Sequence, residues 1–244
     1  FLALESSKIF NVPETQALQT AAAIECIHSY SLVHDDLPAM DDDDIRRGKP
    51  TVHKMWDEAT AILVGDGLQS LSFEILSDPL THPNPNIRLD LVSSLAKASG
   101  IDGMVGGQAL DIEAEKAQNP LIVDDIIELQ NLKTGKLIVW AAETGPRLAE
   151  QSIKPLTNYA RAVGLAFQIR DDILDVIGEK QKTGKKLRKD SKAGKATFVS
   201  LFGLEEAKSR SEKLIMEACN FIEPYGEKAS MLKELAKFIT RRSY

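Results

Sequence analysis

Residues 165–177 read LAFQIRDDILDVI, and within them Gln168, Asp171, Asp172 and Asp175 fall at i, i+3, i+4 and i+7. That spacing sets four polar side chains on one narrow stripe of a helix. Leu165, Ala166, Phe167, Ile169, Ile173, Leu174, Val176 and Ile177 fill the rest of the circumference, with only Arg170 polar. A helix apolar on most sides belongs inside a bundle, so the acidic stripe is expected to face an internal polar cavity. The plainer alternative is the solvated face of an amphipathic helix, and this stretch alone does not choose between them.

Residues 32–49, LVHDDLPAMDDDDIRRGK, weigh toward the cavity. Six aspartates (Asp35, Asp36, Asp41, Asp42, Asp43, Asp44) end an apolar segment and are followed at once by Arg46, Arg47 and Lys49. Like charge this dense is costly unless a cation sits among the carboxylates, and hard divalent ions are the usual occupant. With carboxylates in two places and only 4 histidines in the chain, Mg²⁺ fits the donors better than a softer metal. Cations for a companion phosphate stand in three places: Arg46-Arg47 with Lys49, Lys133 with Lys136, and the run from Lys185 to Lys189. Arginine pairs suit bidentate oxygen anions. Any one of these clusters alone reads as a solvated surface; their meaning comes from the acids beside them.

Outward from these two stretches, apolar residues recur at helical spacing almost throughout and period-two alternation is scarce, so the chain reads as all-α, a large helical bundle around a central cavity. After the turn at Asn11-Val12-Pro13, Glu14 to Asp36 is apolar nearly all round and is expected to be a central, buried helix. Helices are further expected over 59–76, 87–100, 101–116, 123–144, 154–177, 197–224 and 229–241, with a proline-rich loop at 78–86 and a charged loop up to Ala196. No repeat of fixed period is present.

Composition bounds the rest. At 244 residues with 43% hydrophobic, the chain supports one substantial core, and 1–244 is read as a single domain. No apolar run is long enough to span a bilayer. A net charge of −6 argues against a nucleic-acid-binding surface. Cys26 and Cys219, both in apolar helical patterns, read as buried thiols of a reducing, cytoplasmic setting. The chain opens at Phe1 without an initiator Met or a leader pattern, and an N-terminal segment is expected to be missing.

Two further features need separate treatment. Glu25-Cys26-Ile27-His28 is a Glu-x-x-His, one half of a di-iron bundle site, but none of the other histidines has a Glu three residues before it. His28 instead lies two turns before Asp35 on the same face, within reach of a ligand held near that acid; a satisfied core histidine is the other reading. Gly106-Gly107 in GGQALD weakens a helix unless close packing or a kink offsets the cost.

Together LVHDDLPAMDDDDIRRGKPTVH, GGQALDIEAE, KTGKL, QIRDDILDVIG and GKATF resemble, in order, the motifs of the trans-isoprenyl diphosphate synthases, also called polyprenyl synthetases. The first acidic motif has the bacterial spacing of four residues between its second and third aspartate, and the whole is most similar to the bacterial farnesyl diphosphate synthases. The resemblance implies an isoprenoid synthase fold, a homodimer, and Mg²⁺-assisted ionisation of dimethylallyl or geranyl diphosphate. Attack by isopentenyl diphosphate and loss of a proton would then give farnesyl diphosphate. A geranylgeranyl diphosphate synthase and a non-catalytic partner subunit are the alternatives.

Carried over residue by residue, the resemblance implies that Asp35, Asp41 and Asp171 ligate Mg²⁺, with Asp36, Asp172 and Asp175 supporting. Three ions are expected with substrate, and Mn²⁺ is an acceptable substitute. Arg46, Lys133 and Lys185 would hold the allylic diphosphate, Thr134 and Gln168 would place oxygen dipoles near the cation, and His28 and Arg47 would contact isopentenyl diphosphate. Tyr30, five residues before Asp35 with small Ser31 beside it, resembles the floor of members that stop at C15. The family's Gly-Gly-Lys-x-Arg-x-x-Pro motif would stand immediately before Phe1.

Overall fold

Pro13 keeps two helices from merging: α1 (Leu2–Ile9) precedes it and α2 (Glu14–Asp35) follows. The computed structural model describes residues 1–116, 122–181 and 197–242. Among these, α3 (Val52–Met55), α4 (Glu58–Ser77), α5 (Pro85–Ser99), α6 (Met104–Lys116), α7 (Val123–Gln130), α8 (Lys136–Leu148) and α9 (Lys154–Gln181) carry the chain through both acidic motifs. Then come α10 (Phe198–Phe202), α11 (Leu204–Phe221), a 3₁₀ segment (Glu223–Ala229) and α12 (Ser230–Arg241). The expected all-α architecture is what forms.

Local chemistry sets many boundaries. Asp57 caps α4 by accepting from Thr60 N, and Asn84 caps α5 ahead of Pro85 by accepting from Asn86 N. Thr197 opens α10 by accepting from Ser200 N. Gly203, at φ +80°, ends α10 and splits the single helix expected over 197–224. Between α7 and α8 the helix widens into one π turn, Asn131–Gly135, a local distortion that often marks a functional site.

The helix at the centre is α8 rather than α2. Leu137, Trp140, Ala141, Ala142, Glu143, Thr144, Gly145, Pro146 and Leu148 of α8 are all buried. In α2 the buried set is Ala17, Thr20, Ala23, Ile27 and Tyr30, while Leu18 is exposed. The apolar residues that made α2 look all-round buried are spent differently: Ala21, Ile24 and Leu32 line a cavity. α1 packs on α8 where Gly145 has no side chain. A Cβ there would overlap the backbone of Ser6, whose hydroxyl accepts from Gly145 N at 3.2 Å.

The one sheet among the described residues is an antiparallel hairpin of Ile45–Arg46 (β1) and Lys49–Pro50 (β2), which the helical reading left out. Its two-residue loop, Arg47-Gly48, has φ of 51° and 76°, the left-handed pair that a tight hairpin turn requires. The two cysteines are half-buried and unpaired, less enclosed than their apolar settings suggested. Lys185 to Lys189 and Lys195 of GKATF lie outside the described residues.

Candidate active site

A cavity of about 940 Å³ runs among α2, α6, α8, α9 and α12. His28, Tyr30, Ser31 and Asp35 reach it from the last turns of α2, and Lys133 and Thr134 reach it from the π turn. The remaining lining is largely apolar, with Leu137, Ile138, Val163, Phe167 and Ile239 among its side chains. Six of the residues expected in the site are therefore gathered around one space.

The first acidic motif folds back on itself. α2 ends at Asp35, the chain turns through Pro38, and Asp41 N donates to Asp35 O at 2.9 Å. Burial pushes the Asp35 carboxyl up to about 6; Lys133 opposes the shift, Asp41 adds to it, and the smaller effects of Arg46 and Asp36 cancel in sign. Asp36, next in sequence, points elsewhere. It is 3% exposed, and Arg46 holds it with Nε donating to Oδ1 and Oδ2 at 2.7 and 2.9 Å. The hairpin is what carries Arg46 back to Asp36. Asp43 lies 3.9 Å from Arg46, while Asp44 pairs with Lys54 at 2.9 Å. Asp42 and Asp44 also approach His53, whose Nδ1 shares a 3.2 Å hydrogen bond with Thr51 Oγ1.

His28 is held below the usual histidine range, first by burial; Glu25 opposes this, and Arg47 and Arg46 add to it. Both arginines thus act on the imidazole, although Arg47 itself is exposed.

Lys133 is aimed by a residue the sequence offered no role for. Its Nζ donates to Asp111 Oδ2 at 2.6 Å. The paired glycines make this contact possible, since a Cβ on Gly107 would overlap the Lys133 backbone. Their absence of side chains lets α6 lie directly on the π turn, and Asp111 comes one turn later on the same helix.

The second acidic motif is less enclosed than its helical stripe implied. Asp175 is exposed and the Asp171 side chain is 44% exposed. The stripe also diverges in its partners. Asp171 pairs with Arg242, and Asp172 Oδ2 accepts from Phe198 N at 2.7 Å, anchoring the start of α10. Gln168 is half-buried and is not among the described residues lining the cavity, where its neighbour Phe167 stands instead. Arg242 was not expected at all: it follows the last turn of α12, where helical spacing singles out nothing.

Hard oxygen donors on two elements, with no thiolate and no imidazole between Asp35 and Asp41, match what Mg²⁺ takes. Burial, which raises the Asp35 carboxyl, strips its charge of water, and an ion bound there would supply the solvation that is lost.

The polyprenyl synthetase family model matches residues 1–238. The chain belongs to this family. It is 44% identical over 251 residues to the farnesyl diphosphate synthase of Escherichia coli (strain K12), covering 100% of this chain and 83% of that one. The crystal structure of an FPP/GFPP synthase from Zymomonas mobilis superposes with a TM-score of 0.88 at 46% identity, over 98% of this chain and 81% of that one. The geranyltransferase of Helicobacter pylori complexed with magnesium and isoprenyl diphosphate superposes with a TM-score of 0.77 at 34% identity, over 97% and 82%. As a polyprenyl synthetase, the chain sets its two acidic motifs at the ends of α2 and within α9. No described helix is long and apolar enough to cross a membrane.

Proposed function

We propose that this polyprenyl synthetase is a prenyltransferase that condenses isopentenyl diphosphate with dimethylallyl or geranyl diphosphate to give farnesyl diphosphate. The observation that carries the reading is that Asp35, Lys133 and His28 line the same cavity of about 940 Å³ as Leu137, Phe167 and the buried Tyr30. One space thus offers anion-handling groups and a hydrocarbon-sized apolar wall. The 44% identity to the farnesyl diphosphate synthase of E. coli supports it.

In this reading Asp35 and Asp41 on one side and Asp171 on the other hold Mg²⁺, with Asp175 at hand; the ion's Lewis acidity offsets the charge of the leaving diphosphate. Three ions are the proposed complement, Mn²⁺ an accepted substitute, and the magnesium complex of the H. pylori relative supports the choice of metal. Asp36 and Asp172 act one step back, the first by holding Arg46 and the second by anchoring α10. Lys133, aimed by Asp111, donates to the allylic diphosphate together with Arg46 and Lys185. Thr134, which lines the cavity, turns an oxygen dipole toward the allylic cation formed when the C–O bond breaks; Gln168 would add a second by turning inward past Phe167. His28 and Arg47 bind isopentenyl diphosphate, whose double bond forms the new C–C bond. The proton lost from it goes to the released diphosphate. Leu137, Ile138 and Phe167 keep water from quenching the cation.

Buried Tyr30 closes the tail's path. Its ring meets His34 edge-on at 5.8 Å, and His34 is pressed against α4 at Gly65, where a Cβ would overlap the imidazole. A floor braced in this way stops growth at C15. We further propose a homodimer. Leu63, Gly67 and Leu71 form one stripe of α4, with Leu63 69% and Leu71 41% exposed, and such a stripe is costly in water unless covered.

The test is to incubate the full chain with Mg²⁺, isopentenyl diphosphate and either dimethylallyl or geranyl diphosphate, then chromatograph the dephosphorylated products. Farnesol is the expected product from both primers. Absence of elongation with either would overturn the assignment.

A further inference from the structure

The second acidic motif already holds a cation of the chain's own. The Arg242 guanidinium lies on the Asp171 carboxylate, donates to Phe167 O at 3.3 Å, and stacks over the Phe167 ring 4.0 Å from its centroid. The grip is returned, because Arg170 Nη2 donates to Arg242 O at 2.6 Å. One short arc of α9, Phe167 to Asp171, thus touches Arg242 through a ring, a carbonyl, a guanidinium and a carboxylate. The Arg242 side chain keeps only 12% exposure and lines the cavity beside Phe238 and Ile239.

This arrangement and metal binding compete. Arg242 engages the Asp171 carboxylate through Oδ1, and a small hard cation on the same group would draw on the same negative charge and repel the guanidinium beside it. Arg170 Nη2 on the Arg242 carbonyl and the Arg242 guanidinium on Asp171 tie the end of α12 to α9 at two separate points, and only the second involves the Asp171 charge.

We propose that Arg242 is a latch: the resting counter-ion of Asp171, which a divalent cation displaces and whose release frees the end of α12 from α9. The proposal rests on Asp171 being a metal ligand. It assigns Arg242 a positioning role on the metal side of the reaction, and it ties occupancy of the second motif to the wall of the cavity that Phe238 and Ile239 build.

The test uses Mn²⁺ alone, without substrate, titrated into the full chain and followed by the electron paramagnetic resonance of the free ion. Wild type, Arg242→Gln and Asp171→Asn are compared. Arg242→Gln is expected to bind Mn²⁺ about tenfold more tightly at the site that Asp171→Asn loses, because one charge-assisted contact no longer competes. In wild type, Mn²⁺ is expected to speed amide hydrogen exchange over residues 238–242. Equal affinity of wild type and Arg242→Gln, with the Asp171-dependent site present, overturns the latch while leaving the metal reading intact. If Asp171→Asn binds Mn²⁺ as wild type does, the metal reading fails and the latch with it. Should Arg242→Gln not fold, the exchange experiment on wild type decides, and unchanged exchange at saturating Mn²⁺ overturns the proposal.

Discussion

Lys133 Nζ donates to the Asp111 carboxylate at 2.6 Å although 22 residues separate them, and this contact fixes where the ammonium can point. A lysine on a helix has four rotatable bonds; one charged hydrogen bond selects among the positions they allow. Asp111→Asn leaves the shape but removes the charge. It is expected to lower kcat/KM for the allylic diphosphate on the order of 10- to 100-fold, as for loss of a charge-assisted hydrogen bond, with a smaller effect on isopentenyl diphosphate. Steady-state kinetics with each substrate varied in turn will show the split, and equal losses for both would place Asp111 in a general structural role.

The same joint constrains Gly107. An alanine methyl there would meet the Lys133 backbone, which belongs to the π turn and has no free direction in which to yield. Gly107→Ala is expected to cost about 1–3 kcal/mol, on the order of 2–10 °C in Tm for a chain of this size. Activity should fall together with stability, because α6 and the π turn must part. A melting curve within 1 °C of wild type, a shift below about 0.5 kcal/mol, would contradict the packing argument.

Asp35 makes a pH-dependent contribution of definite sign. Its folded carboxyl, raised from 3.8 to about 6, binds its proton more tightly than the unfolded chain does. Stability from this group is therefore fully present below about pH 4 and is lost as pH rises through 6. Asp35→Asn keeps the neutral form at all pH values. Without divalent cation the variant is expected to be more stable than wild type near pH 8, by on the order of 1–2 kcal/mol once solvent screening is allowed for, and equal to it near pH 4. Adding Mg²⁺ should reverse the order at pH 8, since only wild type gains from the ion. Denaturant titrations at the two pH values, with and without Mg²⁺, check both signs.

Leu63 offers a test of assembly. Replacing an exposed leucine by glutamate is nearly neutral on a free surface and strongly unfavourable where that surface is covered by a second copy. Leu63→Glu should retain its helical circular dichroism yet sediment as a monomer under conditions where wild type sediments as a dimer. If wild type is itself monomeric at micromolar concentration, the proposed homodimer is wrong.

How much of this could be read in the sequence depends on whether the signal was periodic. Glu14–Asp35 and Lys154–Gln181 announce themselves as helices because their apolar spacing is regular, and both acidic motifs sit where the spacing put them. The hairpin at 45–50 did not, since its strands are two residues each and its turn relies on Arg47 at positive φ. Spacing alone does not separate neighbouring acids, and only the family resemblance ranks Asp35 above Asp36; the physical difference is that a hairpin ten residues on delivers Arg46 to Asp36. Asp111 was visible as part of GGQALD without a partner, and Arg242 carried no pattern at all, because each acquires meaning from a distant helix. The apolar excess on α2 was seen correctly but assigned to packing, whereas much of it faces a cavity.

Tyr30 tests the cavity as a measuring device. It is 6% exposed, lies on α2 one turn before the acidic end, and is braced by His34 against the bare backbone of Gly65. His34 Nε2 in turn lies 3.1 Å from Ile62 O, so the brace is tied to α4 and has little room to move. Removing the phenol leaves a void lined by the growing tail on one side and by His34 on the other, and a void beside an apolar chain is filled at lower cost by more of that chain than by water. Tyr30→Ala is therefore expected to shift the main product from C15 to C20 or longer, with a loss of stability of about 3–5 kcal/mol in the substrate-free protein. Chromatography of the dephosphorylated products reads the length directly. Products no longer than those of wild type, from a variant that still elongates, would mean that the tail never reaches Tyr30 and that its stop lies elsewhere in the cavity.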